Sequence, residues 1–200
     1  MTRLDRAFFS RDTLVVAREL LGCVLVHQLD GQRLAGRIVE VEAYKGWDDA
    51  ASHGYRGITP RNTVMFHEPG ISYVYLCYGV HWLLNIVARP PDVDWPAAIL
   101  LRALEPVEGL ESMARRREGR PARDWTNGPG RLTRALGIDK AQHGIDMVGR
   151  DSLLTIERGD PLPDKAVMTG PRIGINVPEP SRSWPWRYWM KDNPHVSATR

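Results

Sequence analysis

The chain has 200 residues and a mass of 22.6 kDa, which suits one domain over residues 1–200 with room for a core around a sizeable pocket. Hydrophobic residues make up 42% and charged residues 26%, as in soluble globular proteins, and no apolar run approaches the roughly 18 residues of a membrane span. The net charge of +3 and the pI of about 9.0 are only mildly basic, so charge alone does not identify a polyanionic partner.

The N-terminal third of the sequence predicts a helix, a pair of strands and a long loop. Apolar residues at helical spacing predict the helix over residues 11–21. Residues 22–28 and 35–44 are rich in β-branched side chains and predict two strands. The polar, glycine-containing segment 45–62 is too long for a simple hairpin turn, and loops of this kind often carry function.

The rest of the chain predicts more strands than helices. Residues 71–88 are β-branched and aromatic, and they predict two strands with a tight turn near Tyr78 and Gly79. Together with the N-terminal elements, these segments predict an α+β fold that is rich in strands in its middle. The later elements are, in chain order, a strand at 97–106, helices at 107–117 and 128–138, strands at 151–159 and 166–176, and an ordered coil at 177–194.

Basic residues are concentrated in the second half of the chain. Residues 1–100 carry ten Lys/Arg and eleven Asp/Glu, giving −1, whereas residues 101–200 carry seventeen and thirteen, giving +4. A solvated helix face and a surface that contacts phosphate both explain this concentration, and the sequence leaves both open. The cluster consists of Arg115, Arg116, Arg117, Arg120, Arg123, Arg131 and Arg134.

Several common kinds of site have no motif here. Cys23 and Cys77 stand alone, without CxxC spacing or a disulfide framework, so we expect a reducing, intracellular compartment, the cytoplasm or nucleoid if the protein is bacterial. The histidines show no metal-ligand spacing, and there is no GxSxG elbow or phosphate-binding loop. The sequence therefore predicts neither a metal site nor a nucleophilic serine.

A pair of glutamates at the end of the second predicted strand is the first candidate for chemistry. Alternation along EVEAY places Glu40, Glu42 and Tyr44 on one face of the strand, opposite Val41. For Glu40 alone, a solvent-facing position is the favoured interpretation. Glu42 has Tyr44 beside it, and partial desolvation by an aromatic side chain would make it a stronger base.

The segment YVYLCYG supplies aromatic side chains at two kinds of position. Tyr73 and Tyr75 share one face of the predicted strand, whereas Tyr78 lies at the turn next to Gly79. A tyrosine at a hairpin tip is well placed to insert between bases of DNA, although a tyrosine that lies back on its own hairpin is the interpretation that the sequence alone favours.

A carboxylate, several aromatic rings and a basic surface suit a reaction whose transition state resembles an oxocarbenium ion. The carboxylate would stabilise the positive charge on the sugar and deprotonate the attacking water. Aromatic rings would hold a flipped, cationic base by stacking and cation–π attraction. Sugar hydrolases also combine carboxylates with aromatic residues, so this chemistry alone leaves the substrate open.

The sequence resembles the alkyladenine (3-methyladenine) DNA glycosylases of the animal and bacterial type. The resemblance covers nearly the whole chain from Phe8, and it implies a curved, mainly antiparallel sheet flanked by helices, with a protruding hairpin. The segments that carry it are RIVEVEAYKGWDDAASH, TPRNTVMF, GISYVYLCYGVHWLLNIV and AILLRALEP, with weaker similarity in GPGRLTRALGI, PRIGI and PHVS.

The resemblance implies a monofunctional enzyme of base excision repair that acts as a monomer on duplex DNA, away from membranes and without a metal or cofactor. Its substrates would be 3-methyladenine, 7-methylguanine, hypoxanthine and ethenoadenine, and its product an abasic site. Glu42 matches the general base that activates water, and Arg102 matches an arginine that helps to hold the water and the phosphate of the flipped nucleotide.

The resemblance also implies the residues that bind the base. Tyr44, His53 and Tyr75 match the residues that sandwich the extruded base, and Asn85 matches the residue that screens against the exocyclic amine of guanine. Tyr78 matches the side chain that fills the gap left in the duplex. The remaining expected contacts with the pocket or DNA come from Arg172, Ile173 and Gly174.

Departures from the family pattern are few. Val41 stands where threonine is common, Leu84 replaces a frequent cysteine, and the stretch before TPRN is shorter than in animal members. Two alternatives to a glycosylase are a non-catalytic nucleic-acid-binding module and a hydrolase of nucleosides or small glycosides. Glu42 beside aromatic residues disfavours the first, and Tyr78 together with the arginine cluster disfavours the second.

Overall fold

The computed structural model describes residues 2–198 and contains one eight-stranded sheet with helices packed against it. The helices are α1 (Arg6–Phe9), α2 (Thr13–Leu20), α3 (Leu110–Arg116) and α4 (Pro129–Leu136). The strands are β1 (Val24–Leu29), β2 (Gln32–Lys45), β3 (Ser72–Cys77), β4 (His81–Ile86), β5 (Ala97–Glu108), β6 (Leu154–Glu157), β7 (Val167–Gly170) and β8 (Arg187–Met190).

The long strand β2 organises the sheet, whose strand order is β3-β4-β5-β2-β1-β6. β5 pairs along one edge of β2, whereas β1 and then β8 pair along the other edge, and these pairings are antiparallel. Irregular register between Ile38 and Val41 bends β2 where its partner changes. The predicted α+β fold with a curved, mainly antiparallel sheet is confirmed.

The bend also changes which side chains of β2 face the main core. Strict alternation predicts that Val39 shares a face with Val41, but the core cluster contains Ile38 and Val41. The irregular register at Glu40 explains the difference, because an extra residue in a strand shifts the facing of its neighbours. The alternation holds from Val41 onward, so Glu42 faces away from the core.

The main core lies between the sheet and the helices. Val16 and Leu20 of α2 and Leu132 of α4 are fully buried, and they belong to the same apolar cluster as Val41 and Leu101 of the sheet. Burial of this apolar surface is the main favourable contribution to folding. A second, smaller apolar cluster contains Val64, Met65, Tyr73, Val87 and Ala98.

Several predicted boundaries are wrong for identifiable reasons. The first long helix is capped by Asp12 and begins at Thr13, two residues later than predicted. β5 continues past Pro106 to Glu108, because irregular pairing near this point accommodates a residue without an N–H. The predicted coil 177–194 contains a strand, β8, which pairs with β2 and β7.

Two predictions about local structure are confirmed. α4 has proline at its start and ends at Gly137, which has a φ of 66°. The β3–β4 hairpin turns at Tyr78 and Gly79, as predicted from the sequence.

Among residues 2–198, no helix has the length and apolar character needed to cross a membrane.

Candidate active site

A cavity of about 500 Å³ lies between the C-terminal half of β2, the β3–β4 hairpin and the loop that follows β2. Its size is in the range of small-molecule binding sites. Nine of the ten site residues expected from the sequence line this cavity, and Arg172 is the exception. These nine are Glu42, Tyr44, His53, Tyr75, Tyr78, Asn85, Arg102, Ile173 and Gly174.

Glu42 is fully buried in β2, and its carboxylate forms part of the cavity wall. One oxygen, Oε1, accepts a hydrogen bond from the backbone N–H of Ile173 at 2.7 Å and lies 3.2 Å from Nη1 of Arg102. The other oxygen, Oε2, accepts a hydrogen bond from the Tyr44 hydroxyl at 2.8 Å. A carboxylate has about four lone-pair sites. These contacts therefore leave at least one lone-pair site of Glu42 without a donor among the described residues.

Glu40 is fully buried, so the expectation of a solvent-facing position is wrong. Its carboxylate pairs with Nε of Arg102 at 3.0 Å and with Nε of Arg187 at 3.1 Å. It also accepts hydrogen bonds from the backbone N–H and the hydroxyl of Ser197. β8 and the C-terminal segment cover this part of β2, which explains the burial.

Arg102 links the two glutamates of β2. Its guanidinium contacts Glu40 through Nε and Glu42 through Nη1, and its Nη2 donates to the Ser197 hydroxyl at 3.3 Å. Burial alone would lower the pKa of Arg102, but the negative charges of Glu42 and Glu40 outweigh burial and raise it. The group therefore remains a cation at the cavity wall.

The loop after β2 brings His53 against two tyrosines of β3. The His53 and Tyr75 rings meet edge to face, with centroids 4.6 Å apart, and Nδ1 of His53 lies 2.8 Å from the Tyr73 hydroxyl. Although part of the residue is exposed, burial of its ring and the nearby charge of Arg61 lower the pKa of His53 to about 4. His53 is therefore neutral at physiological pH.

Arg172 lies behind the cavity wall and not in the cavity. It forms a bidentate ion pair with Asp49, at 2.6 and 2.7 Å, and both side chains are fully buried. Its guanidinium also lies over the Tyr44 ring, 4.6 Å from the ring centroid. This burial is incompatible with the expected direct contact with DNA. Arg172 instead packs against the Tyr44 ring and, through its ion pair with Asp49, fixes the position of the loop that carries His53.

Asn85 and Tyr78 occupy opposite ends of the hairpin. Asn85 is 4% exposed, and its Nδ2 donates to the Tyr73 carbonyl at 3.1 Å in the cross-strand pair that the two residues form. Tyr78 is 90% exposed and has a φ of 49°, and Gly79 follows with a φ of 70°. Two positive φ angles are typical of the tight turns that join paired strands. Tyr78 therefore projects from the hairpin tip and does not lie back on the hairpin, which was the interpretation that the sequence alone favoured.

Sequence reasoning gave no individual role to three residues at this site. The Arg61 guanidinium lies 4.9 Å from the centroid of the Tyr75 ring. Asn62 is 2% exposed, and its Nδ2 donates to the His53 carbonyl at 2.7 Å. Tyr73 orients His53, as described above. Two features of the sequence could have identified these residues. The TPRN segment contains Arg61 and Asn62, and Tyr73 shares a strand face with Tyr75.

Comparison with known proteins identifies the family of the chain. Residues 7–194 match the family model described as methylpurine-DNA glycosylase (MPG). Relatives named "Putative 3-methyladenine DNA glycosylase" include those of Desulfitobacterium hafniense, 44% identical over 99% of this chain and 100% of the relative, and Myxococcus xanthus, 44% identical over 98% and 94%. A relative of the same name from Bacillus licheniformis is 44% identical over 97% of this chain and 96% of its own length. The chain belongs to the methylpurine-DNA glycosylase family and is a DNA glycosylase.

Proposed function

We propose that this DNA glycosylase hydrolyses the N-glycosidic bond of alkylated and deaminated purines flipped out of duplex DNA. The observation that carries the proposal is the position of Glu42, a buried carboxylate in the wall of a cavity that aromatic side chains also line. The family match supports the reaction class, and the geometry supports the assignment of Glu42 as the general base.

In the proposed mechanism, Glu42 accepts a proton from the attacking water as the base departs from the sugar. Positive charge grows on the sugar in the transition state, and the carboxylate stabilises that charge. Arg102 positions the Glu42 carboxylate and helps to hold the water and the phosphate of the flipped nucleotide. Its contact of 3.2 Å with Glu42 supports this role.

The aromatic slot formed by Tyr44, His53 and Tyr75 would take the flipped base. Its rings suit cationic purines such as 3-methyladenine and 7-methylguanine, because a cation is attracted to the face of an aromatic ring. A neutral His53 adds no repulsive charge to such a base. Asn85 in the cavity wall would screen against the exocyclic amine of undamaged guanine, and 3-methyladenine, hypoxanthine and ethenoadenine lack that amine. 7-Methylguanine keeps the amine, so its acceptance would depend on the attraction between its cationic ring and the aromatic side chains.

The enzyme would be monofunctional and leave an abasic site. A bifunctional glycosylase needs an amine nucleophile, and the described residues that line the cavity include no lysine. Tyr78 would fill the gap in the duplex during flipping, which agrees with its exposure at the hairpin tip. We propose that the protein acts as a monomeric, intracellular enzyme of base excision repair.

The test is base release from duplex oligonucleotides that each carry one of the four lesions, measured with and without subsequent alkali cleavage. We expect the wild-type protein to release base and to give strand cleavage only after alkali. Glu42→Gln should abolish release because amide nitrogen and oxygen cannot accept the proton of water as a carboxylate does. Glu118→Gln, at an exposed position on the surface, is the matched control and should behave as wild type.

Binding of the same oligonucleotides separates the proposal from its alternatives. Glu42→Gln should retain binding to lesion DNA, since the aromatic slot remains intact. Binding without release by the wild-type protein would favour a non-catalytic module, and release only from free nucleosides would favour a nucleoside hydrolase. Undiminished release by Glu42→Gln would remove Glu42 from the mechanism.

A further inference from the structure

Arg61 places a positive charge at the wall of the cavity that contains Glu42. Its guanidinium lies 4.9 Å from the centroid of the Tyr75 ring, and the residue lines the cavity while remaining exposed to solvent. Tyr75 belongs to the aromatic slot that would take the flipped base. The charge of Arg61 therefore lies next to the proposed position of the base.

Within the described part of the chain, no aspartate or glutamate forms an ion pair with Arg61, in contrast to the buried arginines near the slot. Arg102 pairs with the two glutamates of β2, and Arg172, which lies over the Tyr44 ring outside the cavity, forms a bidentate ion pair with Asp49. A carboxylate therefore balances each of these two charges, whereas the charge of Arg61 is not balanced.

Asn62 holds the backbone next to Arg61 in place. Its Nδ2 donates hydrogen bonds to the carbonyl of His53 at 2.7 Å and to the carbonyl of Gly57 at 2.9 Å, and its Oδ1 accepts one from the Thr59 N–H at 2.6 Å. Asn62 is 2% exposed, so water does not compete for these bonds. The backbone that carries Arg61 is thereby fixed relative to the loop that supplies His53 to the slot.

The state of His53 indicates that the charge of Arg61 acts inside the slot. The His53 ring meets the Tyr75 ring edge to face, with centroids 4.6 Å apart. Burial, followed by the positive charge of Arg61, lowers the pKa of His53 to about 4. A positive charge that disfavours a proton on His53 also disfavours positive charge on a base that lies beside His53.

We infer that Arg61 is a specificity-determining residue that favours neutral purines over cationic purines, an inference that rests on the proposed function. A cationic base such as 7-methylguanine carries one positive charge more than a neutral base such as hypoxanthine. Like charges repel, and the repulsion is stronger at the wall of a protein cavity than in bulk water. Arg61 should therefore weaken the binding of a cationic base, and a neutral base is not subject to this repulsion.

The difference of one charge persists while the N-glycosidic bond breaks. Both electrons of the bond go to the base nitrogen, the oxygen of water bonds to the sugar carbon, and Glu42 takes the proton of the water. Hypoxanthine then leaves as an anion, which takes a proton from solvent, and 7-methylguanine leaves as a neutral base. The base gains one negative charge in both reactions, and Arg61 stabilises that gain in both. Arg61 therefore discriminates between the bases through binding and not through the rate of bond cleavage.

The test is competition between two lesions for one enzyme. Duplexes of the same sequence that contain hypoxanthine or 7-methylguanine are mixed, and the ratio of released bases gives the ratio of the two kcat/KM values. Arg61→Gln should lower the preference for hypoxanthine about tenfold, because solvent screens an exposed charge more than a buried one. Arg61→Lys keeps the charge and should retain most of the preference. Arg56→Gln removes a charge from an exposed position of the same loop outside the cavity, and it should leave the ratio unchanged.

Binding affinities and single-turnover rates locate the effect. In a Glu42→Gln background, Arg61→Gln should strengthen binding to 7-methylguanine DNA relative to hypoxanthine DNA. The ratio of the single-turnover rates at saturating enzyme should stay nearly constant when Arg61→Gln is compared with the wild-type protein. A contact of Arg61 with the DNA backbone, or a loss of folded protein, would affect both lesions equally and cancel in each ratio.

Two results would overturn the inference: an unchanged competition ratio in Arg61→Gln, or an equal change in Arg61→Lys. Release of neither lesion by the wild-type protein would instead contradict the proposed function. The binding comparison does not require release, so the two failures are distinguishable.

Discussion

Glu40 and Ser197 are joined by two hydrogen bonds, from the Ser197 N–H at 2.7 Å and from its hydroxyl at 2.9 Å. The C-terminal segment thereby closes over a carboxylate that also holds Arg102, and Arg102 in turn contacts Glu42. Ser197 and Glu40 are positioning residues in this arrangement, since neither lines the cavity that contains Glu42.

Ser197→Ala should lower the single-turnover rate of base release more than it weakens lesion binding. The change removes the hydroxyl that bonds both Glu40 and Arg102, so the orientation of Arg102 becomes less defined. Loss of hydrogen bonds to charged groups costs about 1.5–3 kcal/mol, and part of this should appear in the rate. The single-turnover rate at saturating enzyme and the affinity for lesion DNA are measured for the wild-type protein and for the variant. Ser197→Thr should restore the rate, and Ser183→Ala, at an exposed serine before β8 whose hydroxyl donates to Glu179, should have no effect.

Glu40→Gln should lower the single-turnover rate of base release. Glu40, Glu42, Arg102 and Arg187 form a buried group with balanced charge, and removal of one carboxylate leaves an excess positive charge next to Glu42. Extra positive charge opposes a cationic transition state. Single-turnover rates, measured together with urea unfolding of the same variant, test this. A loss of rate that only matches the loss of folded protein would mean that Glu40 acts only through folding.

The buried charge around Glu40 illustrates what the sequence could not predict. Strand alternation and turn chemistry depend on neighbouring residues, so the sequence could predict that Glu42 and Tyr44 share a face, that Tyr73 and Tyr75 share a face, and that the chain turns at Tyr78. Burial of Glu40 depends on β8 and on the C-terminal segment, which are remote in the chain and whose pairing with β2 has no local signal. Local patterns therefore predicted the facing of individual strand residues but not the layer of buried charged groups behind the cavity.

The position of Arg172 also could not be predicted from local sequence, because a residue expected to contact the pocket or DNA is buried behind the cavity wall. The resemblance of the PRIGI segment to the family suggested contact of Arg172 with the pocket or DNA, yet neighbouring Ile173 and Gly174 line the cavity and Arg172 does not. The partner that determines this orientation, Asp49, lies in the loop after β2. Sequence reasoning assigned no role to Asp49, because a single acidic residue in a polar loop has no distinguishing pattern.

Arg172→Met should destabilise the protein by about 3–5 kcal/mol, the usual cost of leaving one partner of a buried ion pair without the other. The side chains of Arg172 and Asp49 are both fully buried, so solvent cannot compensate. Urea unfolding measures the loss. Arg172→Met/Asp49→Asn should recover part of it, because the unpaired carboxylate is removed. Equal destabilisation by the single and double variants would contradict the explanation based on unpaired charge.

His53 should make the folded protein less stable as the pH falls from about 6.5 toward 4. Its pKa is lowered from 6.5 to about 4 by burial and by Arg61, so the unfolded chain binds this proton over a range in which the folded protein does not. The stabilisation is therefore present above the unfolded pKa and is lost as the pH decreases. His53→Gln should remove this part of the pH dependence of the urea midpoint. Because the residue is partly exposed, we expect a smaller effect than for a fully buried histidine. Parallel curves for wild type and variant would contradict the prediction.

Tyr78→Ala should weaken capture of lesion DNA while leaving the stability of the free protein nearly unchanged. The side chain is 90% exposed, and changes at exposed positions usually alter the free energy of unfolding by no more than about 0.5 kcal/mol. Insertion into the duplex replaces lost stacking, so truncation should cost a few kcal/mol at most in binding. Fluorescence of 2-aminopurine placed beside the lesion reports flipping directly. Tyr78→Phe keeps the ring and should retain flipping, which separates ring insertion from a hydrogen bond by the hydroxyl. Unaltered flipping by Tyr78→Ala would show that the Tyr78 ring does not fill the gap in the duplex, which would then have to be filled by another exposed side chain of the hairpin, such as Leu76 or Val80.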